Sequence, residues 1–163
     1  MQHRPLQIAT PDDTTLVLTR SFDAPRRLVW AAMFTPDKMR RWMLPPPGLT
    51  LSRIECDPRE GGKLSLAWTD GEHDPVMTLQ GVFTEVVLHE RAVHTELMAL
   101  ASGQVIGSLI ETHEFTADGD VTHMRITQRY ESKEARDGAL GSGMDEGMEA
   151  CYVQLDSTLA NPE

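Results

Sequence analysis

The sequence predicts an α+β fold: a curved antiparallel sheet of about six to seven strands around a long C-terminal helix, with two short helices after the first strand. Three observations carry this prediction. A strand pattern is followed at once by two short helical patterns, polar turns then separate a run of further strands, and the segment from Ser132 to Ala160 changes to helical period. Nothing between the strands is long enough for a crossover helix, so they pair antiparallel. A helix with a single apolar face must bury it against the concave side of such a sheet.

Residues 1–13 read as a loose polar arm, and 14–163 as one domain. Thr15 to Phe22 alternates and is rich in β-branched residues, which makes it the first strand. Asp23-Ala24-Pro25 ends it, with Asp23 as a candidate cap and Pro25 suited to a first helical turn. Leu28, Val29, Ala32 and Met33 then form the stripe of a short helix. Thr35 and Pro36 restart the pattern as N-cap and first helical residue, with Met39, Trp42 and Met43 as the buried side.

Beyond the rigid break at Leu44-Pro45-Pro46-Pro47-Gly48, strands are expected over 49–56, 63–69, 76–88, 91–100, 107–116 and 121–130. Gly81 falls inside one of them, as a bulge or bend that a strongly curved sheet needs. In the final helix Leu140, Met144, Met148, Cys151, Leu155 and Leu159 mark one apolar face, with Tyr152 at its edge. Gly138, Gly141, Gly143 and Gly147 each cost about 1 kcal/mol against alanine inside a helix. Either the helix is irregular from 138 to 143, or small residues make room for a neighbour or a ligand.

The net charge of −10 opposes binding to nucleic acid or to anionic lipid, both of which demand a basic face. The basic residues Arg26, Arg27, Lys38, Arg40 and Arg41 read as the solvated side of the two short helices. The longest apolar runs are a few residues, so no membrane span is expected. The first residues lack the apolar core of a secretory signal, and a cytoplasmic location is expected. Cys56 and Cys151 are expected to stay reduced. His89, His94, His113 and His123 are scattered, without the compact spacings of familiar metal motifs, so neither a metal nor a cofactor is expected.

The sharpest polar signal lies between Leu109 and Phe115. If those two face inward, period two carries Glu111 and His113 inward as well; with Ile110 inward, both are exposed. On the next strand the even positions Met124, Ile126, Gln128 and Tyr130 face in. Met144 and Met148 are flexible and polarizable, which suits a wall that accommodates varied apolar shapes. No nucleophile motif or phosphate-binding glycine loop is present.

Phe22-Asp23-Ala24-Pro25-Arg26 with Val29-Trp30, then Thr35-Pro36 with Arg41-Trp42, then Asp57, Arg59 and Gly61-Gly62, together resemble the signature of the START-like (SRPBCC) superfamily. Within it the chain is most similar to the family named for the C-terminal domain of the activator of Hsp90 ATPase. Gly81-Val82-Phe83, Glu85-Val86, Glu90-Arg91, Glu114-Phe115 and the segment from Gly138 to Leu159 agree with this. The resemblance implies the helix-grip (Bet v 1-like) fold, with a cavity between sheet and C-terminal helix. It supplies no universal catalytic set, so none is carried over.

Three functions are open on this basis. The first is binding of a small hydrophobic or amphipathic molecule between Leu66, Trp68, Met77, Leu79, Phe83, Met124 and Ile126 on the sheet and Met144, Met148 and Cys151 on the helix. Glu111 and His113 would orient it. The second is an enzyme of the polyketide cyclase or aromatase kind, with Glu111 and His113 as acid and base. The third is a protein-interaction module, including a homodimer.

Overall fold

The computed structural model describes residues 5–161. Its elements are β1 (Gln7–Ala9), β2 (Thr15–Phe22), α1 (Arg26–Phe34), α2 (Pro36–Trp42), β3 (Thr50–Cys56), β4 (Lys63–Thr69), β5 (Met77–Val87), β6 (Arg91–Leu100), β7 (Val105–Asp118), β8 (Val121–Tyr130), α3 (Lys133–Leu140) and α4 (Met144–Ala160). The strands form one antiparallel sheet in the order β1-β2-β8-β7-β6-β5-β4-β3. From β3 to β8 this is a simple meander. The first long strand closes against the last, which brings β2 beside β8.

The sheet has eight strands rather than six or seven. The eighth is β1, inside the segment read from sequence as a loose arm, where Gln7 to Ala9 pair with Thr19 to Val17. A strand of three residues is too short to show alternation. The larger difference is the C-terminal helix. It is two helices, α3 and α4, separated at Gly141-Ser142-Gly143. Gly143 has φ +82°, a left-handed conformation that a glycine adopts freely and that resets the direction of the chain. Of the two alternatives raised by the glycines, irregularity between 138 and 143 is the one seen. Leu140, expected on the continuous stripe, sits on α3 and is exposed.

Local signals also resolve. Ser132 caps α3, its hydroxyl accepting from the Ala135 N–H at 3.0 Å. Pro25, not Asp23, occupies the N-cap of α1, and Thr35 is the N-cap of α2 without a side-chain bond. The bulge in β5 falls between Phe83 and Glu85 rather than at Gly81. Gly81 answers a different need: a Cβ there would stand 1.8 Å from the Thr95 carbonyl oxygen on β6.

Inward-facing side chains of β2, β8, β7 and β6 meet α1, α2 and α4. Trp30, Phe34, Phe83 and Phe115 pack edge to face, with centroids 4.8 to 6.3 Å apart. Trp42 donates its indole N–H to the Ala32 carbonyl at 2.8 Å, which locks α2 onto α1. On α4 the deepest residues are Tyr152, edge-on to Phe22 at 5.7 Å, and Leu155. The closest backbone neighbours of α4 are α2, α1 and α3. Side chains therefore bridge most of the distance between helix and sheet.

Candidate polar binding centre

Strand register builds the centre. Glu111 pairs directly with Gln128 on one side and with His94 on the other, while His113 lies opposite Ile126 and Ala92. Paired residues share a face, so Glu111, His113, His94 and Gln128 all point to the helical side of the sheet. Each is buried, and Ile110, next to Glu111 on β7, is turned outward. Phe34, Phe83, Phe115 and Ile126 surround the group with apolar surface.

Three donor atoms converge. His113 Nε2 is 2.8 Å from Glu111 Oε1 and 3.3 Å from His94 Nε2, and His94 Nε2 is 3.7 Å from the same Glu111 oxygen. The other Glu111 oxygen accepts from Gln128 Nε2 at 2.8 Å, and Tyr130 donates its hydroxyl to Gln128 Oε1 at 2.8 Å. His94 Nδ1 faces the Thr95 carbonyl at 3.2 Å. His113 Nδ1 is buried without a hydrogen-bond partner among the described residues.

The electrostatics follow from these contacts. Burial alone would raise the Glu111 carboxyl, but His113, His94 and Gln128 outweigh it and hold the group below the usual carboxylate range. Burial pushes the His94 imidazole down, against the pull of Glu111. Glu96, 3.8 Å from His94 Nδ1, is pushed up by burial and then by the charge of Glu111. Burial, then Glu111 and Glu96, raise Tyr130 to about 12. The centre thus offers one carboxylate and a neutral imidazole within a dry, aromatic setting.

The predicted wall divides. Leu66, Trp68, Leu79, Phe83, Met124 and Ile126 are buried on the inner face, and Met77, Met144, Met148 and Cys151 are half-buried around it. Two concavities lie elsewhere: a groove of about 360 Å³ bordered by Thr19, Ser21, His123 and Arg125, and one of about 70 Å³ between α1, α2 and the end of α4. Sequence reasoning did not single out Arg20. It is buried beside Phe22, and its guanidinium spans Glu149 and Asp156 on α4 with four bonds of 2.8 to 3.0 Å. Burial opposes its charge, but the two carboxylates outweigh that and raise it. In the sequence His94 is one of several scattered histidines, and nothing local to it signals that it lies opposite Glu111.

A long antiparallel sheet gripping a terminal helix, with two short helices closing one end, defines the helix-grip class of START-like proteins. The chain belongs to the family described as Activator of Hsp90 ATPase homolog 1-like protein, whose model matches residues 23–160. Among solved structures it is similar to a protein of Rhodobacter sphaeroides, at 27% identity and a TM-score of 0.85 over 97% of this chain and 99% of that one. A protein of Mycobacterium smegmatis (21% identity, TM-score 0.79, 95% and 97% covered) shares the fold. So does one of Nitrosomonas europaea (21%, 0.77, 94% and 98%). No curated protein matches the chain.

Proposed function

We propose that the protein binds a small, mainly apolar molecule between the inner face of the sheet and α4, oriented by the polar centre at Glu111 and His113. The observation that carries this is the centre itself: charged and polar side chains buried on adjacent strands, with one imidazole nitrogen unpartnered. Burying such groups costs several kcal/mol unless they are fully paired. The fold does not need them there, because apolar residues of similar size would pack the same space. Half-buried Met144 and Met148, just beyond the glycine break, supply an adaptable apolar wall. An ionised Glu111 favours a neutral ligand with a donor group over an anionic one.

The test is titration with the neutral fluorophore N-phenyl-1-naphthylamine, alongside native mass spectrometry and organic extraction of freshly purified protein. One probe per chain is expected, with affinity reduced at least tenfold by Met144→Trp, which fills the space. Probe binding unaffected by that substitution, or none at all, overturns the reading.

A second reading rests on the 2.8 Å contact between Glu111 and His113. It makes the pair an acid and base acting on a bound carbonyl compound, as in cyclases. Glu111→Gln would then stop turnover while leaving probe affinity within a few-fold; equal loss of binding and turnover would contradict it.

A further inference from the structure

We propose that His94, Glu111 and His113 form a binding site for a divalent transition-metal ion of the zinc class, with two imidazole nitrogens and one carboxylate oxygen as ligands and a fourth position open. The proposal does not depend on the apolar-ligand reading, since an organic molecule can enter with or without the ion.

The geometry is the first argument. The ligand atoms form a triangle with edges of 2.8, 3.3 and 3.7 Å. Zinc bonds of about 2.05 Å in tetrahedral array place ligands about 3.3 Å apart. A point equidistant from the three atoms lies about 1.9 Å from each, so an ion at zinc bond lengths stands about 0.7 Å above their plane. A tetrahedral ion sits at that height over three of its ligands. The 2.8 and 3.7 Å edges depart from the tetrahedral separation by about half an ångström, a shift that side-chain rotation supplies.

Proton counting is the second argument. The Thr95 carbonyl accepts from His94 Nδ1, which leaves the lone pair of His94 Nε2 facing the cluster. Glu111 Oε1 presents lone pairs to the same space. The proton on His113 Nε2 can serve the carboxylate at 2.8 Å or His94, but not both. Two acceptors competing for one proton are poorly satisfied; once that proton leaves His113 Nε2, by moving to Nδ1 or to solvent, one cation satisfies all three atoms. Two of the three ligands have supporting contacts of the form that metal ligands need, and His113 Nδ1 is the exception. The Thr95 carbonyl fixes the His94 tautomer, and Gln128 holds the Glu111 oxygen not used for the ion.

Two histidines with one carboxylate is also a donor set that leaves room for water or substrate, as in catalytic zinc sites, rather than a closed structural one. The compact ligand spacings of familiar metal motifs are absent from the sequence, which is why no metal is expected from it. Here one pair is spaced by two on β7, and the third ligand arrives by strand pairing from β6.

The full chain, stripped with chelator and dialysed, is titrated with zinc alone by calorimetry and with cobalt(II) by visible absorption. One ion per chain is expected, with the intense visible bands of four-coordinate cobalt. His94→Gln or His113→Gln should weaken uptake at least 100-fold, whereas His123→Gln, outside the cluster, should leave it unchanged. No uptake, or uptake equal in all three variants, overturns the site. If a variant fails to fold, imidazole ¹⁵N shifts of the wild-type chain decide. His94 and His113 must move on adding zinc, and their staying fixed overturns the proposal. Zinc uptake without probe binding, or the reverse, separates this site from the apolar-ligand reading.

Discussion

Two clusters of charge are buried on the same inner face, and they are finished differently. At the end of β2, Arg20 meets Glu149 and Asp156 on α4 with four bonds, so every donor it aims at the helix has an acceptor. At the middle of β6 and β7, His94 and His113 both approach one Glu111 oxygen, at 3.7 and 2.8 Å, and His113 Nδ1 has no hydrogen-bond partner among the described residues. The first arrangement is a fastening. It crosses nearly two turns of α4 and fixes the helix where Tyr152 and Leu155 are fully packed. The second leaves an imidazole nitrogen unpaired among the described residues, and it is the arrangement that the proposed binding would use. On the proposed reading, complete pairing marks the part of the molecule that holds the fold, and incomplete pairing the part that binds.

Breaking the fastening should have the largest effect on stability. Arg20→Met leaves two carboxylates without their partner on a face otherwise apolar, and should cost about 3 kcal/mol. Because both carboxylates retain partial access to water, the loss stays at the low end for a broken buried pair. Urea unfolding measures it, and a loss below 1 kcal/mol would make the clamp incidental.

A smaller effect is expected at the break between the helices. An added Cβ at Gly143 meets nothing within 4 Å, so Gly143→Ala pays only for the left-handed backbone, about 1 to 2 kcal/mol. A stabilised variant would mean that α3 and α4 fuse into one helix at no cost, which helical circular dichroism would report.

The smallest stability change belongs to the polar centre. Glu111→Gln keeps an acceptor for Gln128 but gives up the charge that His113 and His94 favour, so unfolding free energy should fall by about 1 kcal/mol or less. Metal uptake should fall sharply in the same variant. A loss as large as that at Arg20 would show that the centre is a fastening too, and the contrast would fail.

Much of this architecture was readable in advance because its signals are local. Alternation in β2 and β8, the Pro36 start of α2 and the Ser132 cap each act within a few residues. Parity tied Glu111 and His113 to the face of Phe115 but left open which face that was, and only the structure turns all three inward. What escaped depends on distance along the chain. Arg20 finds its carboxylates 129 and 136 residues away, and His94 meets Glu111 only through the register between β6 and β7. The glycines signalled trouble in the last helix. Whether it would bend, or merely pack closely, depends on neighbours that no helical pattern encodes.

The most direct test of the central claim uses histidine-labelled full chain and long-range ¹⁵N–¹H spectra, recorded as N-phenyl-1-naphthylamine is added. Of the 6 histidines, those at 94 and 113 should shift with saturation at one probe per chain, while His73 and His123 should stay fixed. If the two central histidines do not respond, or respond no more than the others, the polar centre is not where this protein binds its ligand.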